Sequence, residues 1–298
     1  MTTPAALTSP GARFRRAYES QCIAVPGVFN ALAARMAERA GFAAVYQSGA
    51  ALSAGLAAVP DVGLITQTEF ASQGGYLARA VSIPVISDAD TGFGTPLGVE
   101  RTVQLYEAAG LAGLHLEDQE SPKRCGHLSG KSLIGRDDMV AKIKAAIRAR
   151  KAPEFVVIAR TDARGVASFD EARDRARAYV DAGADMVFPE ALETAAEFER
   201  FAREVPAPLI ANMTEFGKSP LLSRSQLAGM GYRAVLFPVT VFRAAMQAAG
   251  AALARLADEG TQREFLGTLQ TRTELYDLLD YAEFDQRDRS YFGGPTGI

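Results

Sequence analysis

Short runs rich in valine, isoleucine and leucine alternate along this chain with longer amphipathic stretches, and that alternation narrows the folds open to it. Eight runs carry the pattern: Cys22–Val28, Ala43–Gly49, Pro84–Asp90, Gly113–Gln119, Phe155–Asp162, Met186–Ala191, Pro208–Glu215 and Ala234–Thr240. They are almost continuously apolar, as strands are when other elements cover both faces. Helical periodicity fills the gaps, for example over Pro96–Ala109, Asp137–Arg150, Ser168–Ala182 and Thr194–Val205. Several of the helical stretches close on a glycine just before the next strand, at Gly41, Gly110, Gly183 and Gly231. Glycine suits that place because it accepts the left-handed backbone that ends a helix. Eight strand-and-helix units admit a closed (β/α)8 barrel or an open doubly wound sheet. The count favours the TIM-like barrel. So does the scatter of polar residues over many strand C-termini, since an open sheet gathers its site at one switch point.

With no composition break or linker, residues 1–298 read as one barrel domain. Two segments fall outside the repeat. Gly11–Gln21 reads as a helix that plugs the bottom of the barrel, with Phe14 and Tyr18 on one face. Residues 262–287 read as a C-terminal helical extension, whose apolar face needs either this barrel or a second subunit to cover it. A net charge of −3 with acids and bases intermixed leaves no basic stripe for nucleic acid. The longest apolar stretch, Val239–Ala257, is broken by Arg243, Gln247 and Arg255, so it reads as a buried helix and not a membrane span. Met1–Arg16 lacks the order of a secretion signal, and two cysteines are too few for a disulfide framework. These features point to a cytoplasmic compartment.

The strongest local feature is Asp88-Ala89-Asp90 at the end of the third run. Strand residues two apart point the same way, so both carboxylates aim into the barrel mouth, where two like charges call for a shared cation or a proton. An all-oxygen site suits a hard divalent ion. The next run places His115 and Glu117 on one face. Glu117 is a candidate third carboxylate, and His115 reads as a hydrogen-bonded core imidazole. The loop that follows, Ser121–Lys131, sets Cys125 among Lys123, Arg124 and His127. Neighbouring cations lower a thiol pKa, which makes Cys125 a candidate proton donor or nucleophile near neutrality, on a loop flexible enough to serve as a lid. Cys22 reads as a small buried hydrophobe. Further polar groups stand at strand ends or just beyond them: Ser48, Gly49 and Ala50, then Arg160, Glu190, Asn212, Thr214 and Arg243. Each has a structural alternative, such as an Arg160–Asp162 ion pair. Together they describe a pocket for a small polycarboxylate.

Those same residues carry a resemblance. Ser48-Gly49, Pro60-Asp61, Asp88-Ala89-Asp90-Thr91-Gly92-Phe93-Gly94, the run Gly113–Gln119, Lys123-Arg124-Cys125-Gly126-His127, Ala159–Asp162, Phe188–Ala191, Asn212–Gly217 and Gln270-Thr271-Arg272 resemble the isocitrate lyase / phosphoenolpyruvate mutase superfamily. Within it, they are most similar to the methylisocitrate lyase branch. The likeness runs from about Tyr18 to Gln286, and the Lys-Arg-Cys-Gly-His loop is its most specific part. The resemblance implies a Mg²⁺-dependent (or Mn²⁺-dependent) cleavage of 2-methylisocitrate to pyruvate and succinate, a step of propionate breakdown. It implies Asp88 and Asp90 as metal ligands, Cys125 as the acid, and Glu117, Tyr46 or a metal-bound water as the base, with His127 also in the catalytic set. Substrate contacts would come from Ser48, Gly49, Ala50, Cys125, Gly126, Arg160, Glu190, Asn212, Met213, Thr214, Arg243 and Arg272. A homotetramer with exchanged C-terminal helices is implied too. The branch commonly reads Ser-Gly-Gly where this chain has Ser48-Gly49-Ala50, so substrate shape is the open point. Isocitrate cleavage, oxaloacetate decarboxylation or hydrolysis, and a silent dicarboxylate-binding barrel stand as alternatives.

Overall fold

The computed structural model describes residues 8–127 and 130–292. The chain divides into two compact units, Met1–Arg243 and Ala244–Ile298. The first holds eight parallel strands: β1 (Ile23–Val28), β2 (Val45–Gln47), β3 (Val85–Asp88), β4 (Gly113–Glu117), β5 (Val156–Thr161), β6 (Met186–Pro189), β7 (Ile210–Asn212) and β8 (Ala234–Phe237). Each falls within one of the eight apolar runs. The sheet order is β6-β5-β4-β3-β2-β1-β8-β7, and a parallel bridge between Val187 and Leu209 joins its two outer strands. The strands therefore make a nearly closed TIM-like barrel, as their number led us to expect.

Helices separate the strands where the periodicity predicts, including Pro96–Ala108, Arg136–Ala149, Phe169–Asp181 and Ala195–Glu204. Ser168 and Thr194 cap the last two through their hydroxyls, as serine and threonine do before a first helical turn. Gly41, Gly110, Gly183 and Gly231 all have positive φ, the conformation their place at helix ends requires.

Alternation along the strands sorts the side chains. Leu114, Leu116, Val157 and Ala159 point outward into a cluster with helices such as Pro96–Ala108. Ile23, Val25, Ala44, Tyr46, Ile86, Val156, Ile158, Met186, Phe188 and Ile210 form the barrel interior. Phe14 and Tyr18, from the helix Pro10–Ser20, belong to that interior cluster, and Arg15 Nε donates to Glu154 O just before β5. This helix plugs the end of the barrel where the strands begin. Further along β2 to β7 the inward positions change from apolar to polar, while β1 and β8 stay apolar, and that change makes the mouth a site.

Val239–Ala257 differs from expectation. No residue of the helix Thr240–Glu259 is fully buried, although Val241 packs in part against the core and Phe242 meets Phe29 edge to face. The second unit continues with a 3-10 turn (Arg263–Thr268) and two helices (Arg272–Leu278 and Tyr281–Phe292). Asp280, at φ 55, breaks the last two apart, and Thr271 with Glu274 forms a capping box that starts the first of them. Cys22 is only partly buried, beside the outer cluster, and both cysteines are free thiols.

Candidate active site

The strand C-termini surround a cavity of about 100 Å³. It is lined by Tyr46, Ser48 and Ala50 from β2 and the turn after it, Asp88 from β3, Arg160 from β5, Phe188 and Glu190 at the end of β6, and Asn212 and Thr214 around β7. Cys125, Gly126 and His127 come in from the loop after β4, and Arg243 from the helix after β8. Strand register brings these groups together: Asp88 pairs with His115 across β3 and β4, and Glu117 with Arg160 across β4 and β5.

Asp88 and Asp90 are both nearly inaccessible to solvent. Asp88 Oδ1 takes the Asp90 backbone N–H at 2.9 Å, and Tyr46 Oη reaches Oδ2 at 3.3 Å. His115 Nε2 lies 2.8 Å from Tyr46 Oη and 3.4 Å from Asp88 Oδ1. Burial works against the Asp88 charge, but His115, Lys123 and Arg160 outweigh it and hold its pKa below the ordinary value. Burial raises Asp90 to about 7 against the pull of Lys123, with Asp88 and Asp61 adding to the rise. Burial likewise lowers the pKa of His115, against the opposing pull of Asp88.

A divalent ion fits this arrangement. Asp90 Oδ1 is buried with no hydrogen-bond partner and only the Lys123 ammonium 2.9 Å away, and Glu117 Oε1 is buried without any partner. Buried carboxylate oxygens with so few partners suit a hard cation. Among the described residues, no three His, Cys, Asp or Glu side chains are grouped to hold an ion alone. Mg²⁺ is commonly bound by one or two carboxylates, with waters and substrate oxygens completing the shell, so the two facts agree.

The loop after β4 folds down onto this floor at several points. Lys123 Nζ bonds Asp61 and sits beside Asp90. Lys131 Nζ bonds Asp162 Oδ1 at 2.7 Å and also the Gly126 carbonyl. His127 Nδ1 accepts the Lys218 N–H at 2.9 Å, while its Nε2 approaches Glu190 Oε1 to 2.9 Å. Gly126 must be glycine here: a Cβ would stand 2.3 Å from both Arg160 Nη2 and Glu190 Oε1. Gly49 is under the same constraint, since its Cβ would meet Asp88 Oδ2 at 2.4 Å. Leu128 and Ser129 of this loop lie outside the described residues.

Arg160 is the cationic centre. Its Nε and Nη2 bond the two oxygens of Asp162 at 2.9 and 3.1 Å, and Nη1 lies 3.4 Å from Glu117 Oε2. The guanidinium also sits over the Phe188 ring, 5.1 Å from its centroid. Asp162, Glu190 and Glu117 overcome its desolvation and keep it charged. Glu190 is held ionised in turn: burial opposes this, but Arg160 and His127 prevail, and Asn212 Nδ2 donates to both carboxylate oxygens at 3.2–3.3 Å.

Four details differ from expectation. The cations near Cys125 do not dominate its thiol. Burial is the largest influence and raises its pKa, while Lys123 is engaged with acids and Arg124, though it lines the cavity, is an exposed residue. Glu117 is turned to Arg160 and is not among the cavity lining, and burial raises its pKa well above the ordinary value. Met213 is packed in the outer core, its sulfur accepting the Leu222 N–H, because alternation sends it away from Asn212 and Thr214. Arg272 is an exposed residue of the second unit and is also absent from that lining. Ser48 Oγ accepts the Ala51 N–H at 3.3 Å and so caps the helix Gly49–Ala57 while lining the cavity. Arg243 is half exposed, with Nε 3.6 Å from Glu215 Oε2. Asp61 and Lys123 line the cavity without having been expected to. The Asp61–Lys123 bond spans 62 residues, and no local spacing could signal it.

Fold and comparisons together define a (β/α)8-barrel enzyme, and its strand C-termini carry buried acids, a thiol-bearing loop and a buried guanidinium. The chain belongs to the phosphoenolpyruvate phosphomutase family, which residues 14–257 match. It is similar to the 2-methylisocitrate lyase of Aeropyrum pernix, at 52% identity over 95% of this chain and 91% of that one. Among solved structures, that of a 2,3-dimethylmalate lyase of the same superfamily superposes with a TM-score of 0.91 at 34% identity, covering 98% of this chain and 99% of that one. A phosphonopyruvate hydrolase complex with oxalate and Mg²⁺ gives 0.84 at 32% identity, with 95% and 98% covered.

Proposed function

We propose that this chain is a carbon–carbon lyase that cleaves 2-methylisocitrate to pyruvate and succinate. One observation carries the reading: Cys125, Gly126 and His127 line the same small cavity as Asp88, Arg160 and Asn212, so a thiol, an acid and carboxylate-binding groups face one bound molecule. Asp88 and Asp90 would hold a divalent ion, Mg²⁺ or Mn²⁺, whose charge lowers the pKa of a bound substrate hydroxyl.

The chain's own residues supply the rest. Arg160 and the Asn212 and Thr214 region receive the carboxylate toward which negative charge moves as the bond breaks, with Arg243 at the rim. Charge aimed at that carboxylate favours the carbanion-like fragment over the intact substrate. The Cys125 thiol, protonated at neutral pH because burial raises its pKa, then gives its proton to the carbon that becomes a methylene of succinate. For the hydroxyl proton, Tyr46 is better placed than Glu117, which faces Arg160: burial keeps the Tyr46 phenol protonated, so it would take the substrate's proton while passing its own to His115 Nε2, 2.8 Å away. Phe188, Leu236, Pro238 and Val239 give the cavity an apolar wall beside Ala50, where a substrate methyl group would rest.

A homotetramer with exchanged C-terminal helices is part of the proposal, supported by the exposed apolar side chains of the second unit, as is a cytoplasmic location, supported by two free cysteines. No described helix is long and apolar enough to cross a membrane. The deciding experiment is a coupled assay of pyruvate release with methylisocitrate, isocitrate and oxaloacetate as separate substrates, with and without chelator. Methylisocitrate should be preferred, chelator should stop turnover, and Cys125→Ser should lower kcat by about 100-fold or more while the fold is kept. Near-normal turnover by Cys125→Ser would remove the thiol from the mechanism. Preference for oxaloacetate would move the chain to the hydrolase or decarboxylase reading.

A further inference from the structure

Behind the cavity wall lies a second set of buried polar groups, none of which lines the cavity. Its centre is Asp118, the residue after β4, which is fully buried. Asp118 Oδ1 accepts the backbone N–H of Asp162 at 2.9 Å. Oδ2 accepts the Thr161 hydroxyl at 2.7 Å and the Tyr179 hydroxyl at 2.8 Å, with Arg175 Nη1 at 3.3 Å. Tyr179 and Arg175 come from the helix Phe169–Asp181, which places no side chain in the cavity lining.

Two observations link this cluster to the reacting groups. The first is Asp162: the residue whose amide Asp118 fixes also holds Arg160 by two bonds and Lys131 by one, and Lys131 holds the carbonyl of Gly126 beside Cys125. The second is the stem of the Cys125 loop. Ile134 N–H donates to the Asp118 carbonyl at 3.0 Å, Gln119 bridges Leu133 in antiparallel fashion, and Glu120 N–H donates to Ser132 O at 2.9 Å. Arg175 Nη1 then donates to the Ile134 carbonyl at 2.9 Å. Both ends of the loop are therefore clasped at Asp118, and its middle is tied to the same centre through Lys131 and Asp162.

We propose that Asp118, backed by Tyr179 and Arg175, is a positioning residue that sets the Arg160 guanidinium and the Cys125 loop as one unit through Asp162. It touches no substrate. Its effect comes from allowing one arrangement of clamp and thiol, so that an acid on the loop and a carboxylate on Arg160 are in register when the bond breaks. A cluster serving only the fold would have no reason to join both ends of this loop to the residue that orients the clamp.

The test compares two buried tyrosines in a Cys22→Ser background. Tyr179→Phe deletes the donor to Asp118. Tyr232→Phe deletes an equally buried hydroxyl bonded to Phe198 O at 3.4 Å, away from the loop, and controls for lost stability. The readouts are the rate at which iodoacetamide alkylates Cys125, followed by mass spectrometry, and kcat with KM for methylisocitrate. Tyr179→Phe should speed alkylation several-fold and lower kcat by about tenfold, with a smaller change in KM, while Tyr232→Phe changes neither. Equal behaviour of the two variants at matched melting temperature would overturn the proposal. Asp118→Asn, which places an amide N–H₂ against donors, should exaggerate both effects if it folds. The kinetic arm rests on the proposed lyase activity but the alkylation arm does not. An alkylation change in a protein that fails to cleave methylisocitrate would thus sink the activity and leave the positioning role standing.

Discussion

Cys125 shows how one residue's chemistry depends on its surroundings. Lysine, arginine and histidine around a thiol normally favour the thiolate, but in the folded chain Lys123 is spent on Asp61 and Asp90. Burial then dominates, Asp61 and Glu190 add to it, and the His127 amide and Arg160 oppose it without prevailing. The pKa rises, so the neutral thiol persists to higher pH than in a free cysteine. Since only the thiolate is alkylated, the alkylation rate of Cys125 should inflect above the ordinary thiol pKa of about 8.5, and at pH 7.5 it should fall below that of a cysteine peptide. An inflection at or below the peptide's would mean that the cations win after all. The identity of this loop was legible in sequence because Lys-Arg-Cys-Gly-His is compact and specific. Its electrostatics were not, because the acids that neutralise Lys123 come from elsewhere in the chain, Asp61 from the loop after the helix Gly49–Ala57 and Asp90 from just beyond β3. Gly126 is similar: the glycine can be read from the chain, but Arg160 and Glu190, which forbid a Cβ there, only meet it in three dimensions.

Elements were more legible than contacts. All eight strands fall inside runs marked by apolar character alone, because a strand buried on both faces has almost no freedom in composition. Boundaries moved inward by a residue or more, since the polar residues ending each run belong to the site and not to the ladder. Asp90, at φ 45, has already left β3. The helix Pro10–Ser20 was legible as a plug from Phe14 and Tyr18 on one face, and both are buried in the barrel interior, their rings 5.2 Å apart and edge to face. This element makes a clean test of how stability and activity separate. Phe14→Ala should cost about 3–5 kcal/mol by chemical denaturation, from lost burial and the cavity left behind. The kcat of the folded fraction should stay within about twofold, because the plug packs at the strand starts and the chemistry sits at their ends. A large fall in kcat with little loss of stability would show that the two ends of the barrel are coupled.

At the scale of the whole molecule, the least legible feature is what covers the last helices. A stretch as apolar as Val239–Ala257 would ordinarily be buried, yet no residue of the helix Thr240–Glu259 is fully buried, and only its start, at Val241 and Phe242, packs against the barrel. Leu253 on that helix, and Leu266, Tyr281, Phe284, Tyr291 and Phe292 beyond it, are each at least 46% exposed, while Phe265 and Leu278 are buried. Sequence periodicity identifies an apolar face but not the molecule that covers it, because a partner subunit leaves the same pattern as the chain's own core. Apolar side chains exposed in this number mark an interface, and an interface between copies of one chain is closed by symmetry. The proposed homotetramer therefore has a direct test in sedimentation equilibrium. The native chain should have four times its 31.7 kDa mass. Replacing Leu266 and Phe284 together by glutamate should shift it toward dimer or monomer, since a buried unpaired carboxylate is strongly disfavoured. Because both side chains are already in water within one chain, the same double variant should leave the barrel's far-ultraviolet circular dichroism unchanged. A native protein that stays monomeric at micromolar concentration would exclude the exchange of helices and require another partner for that face.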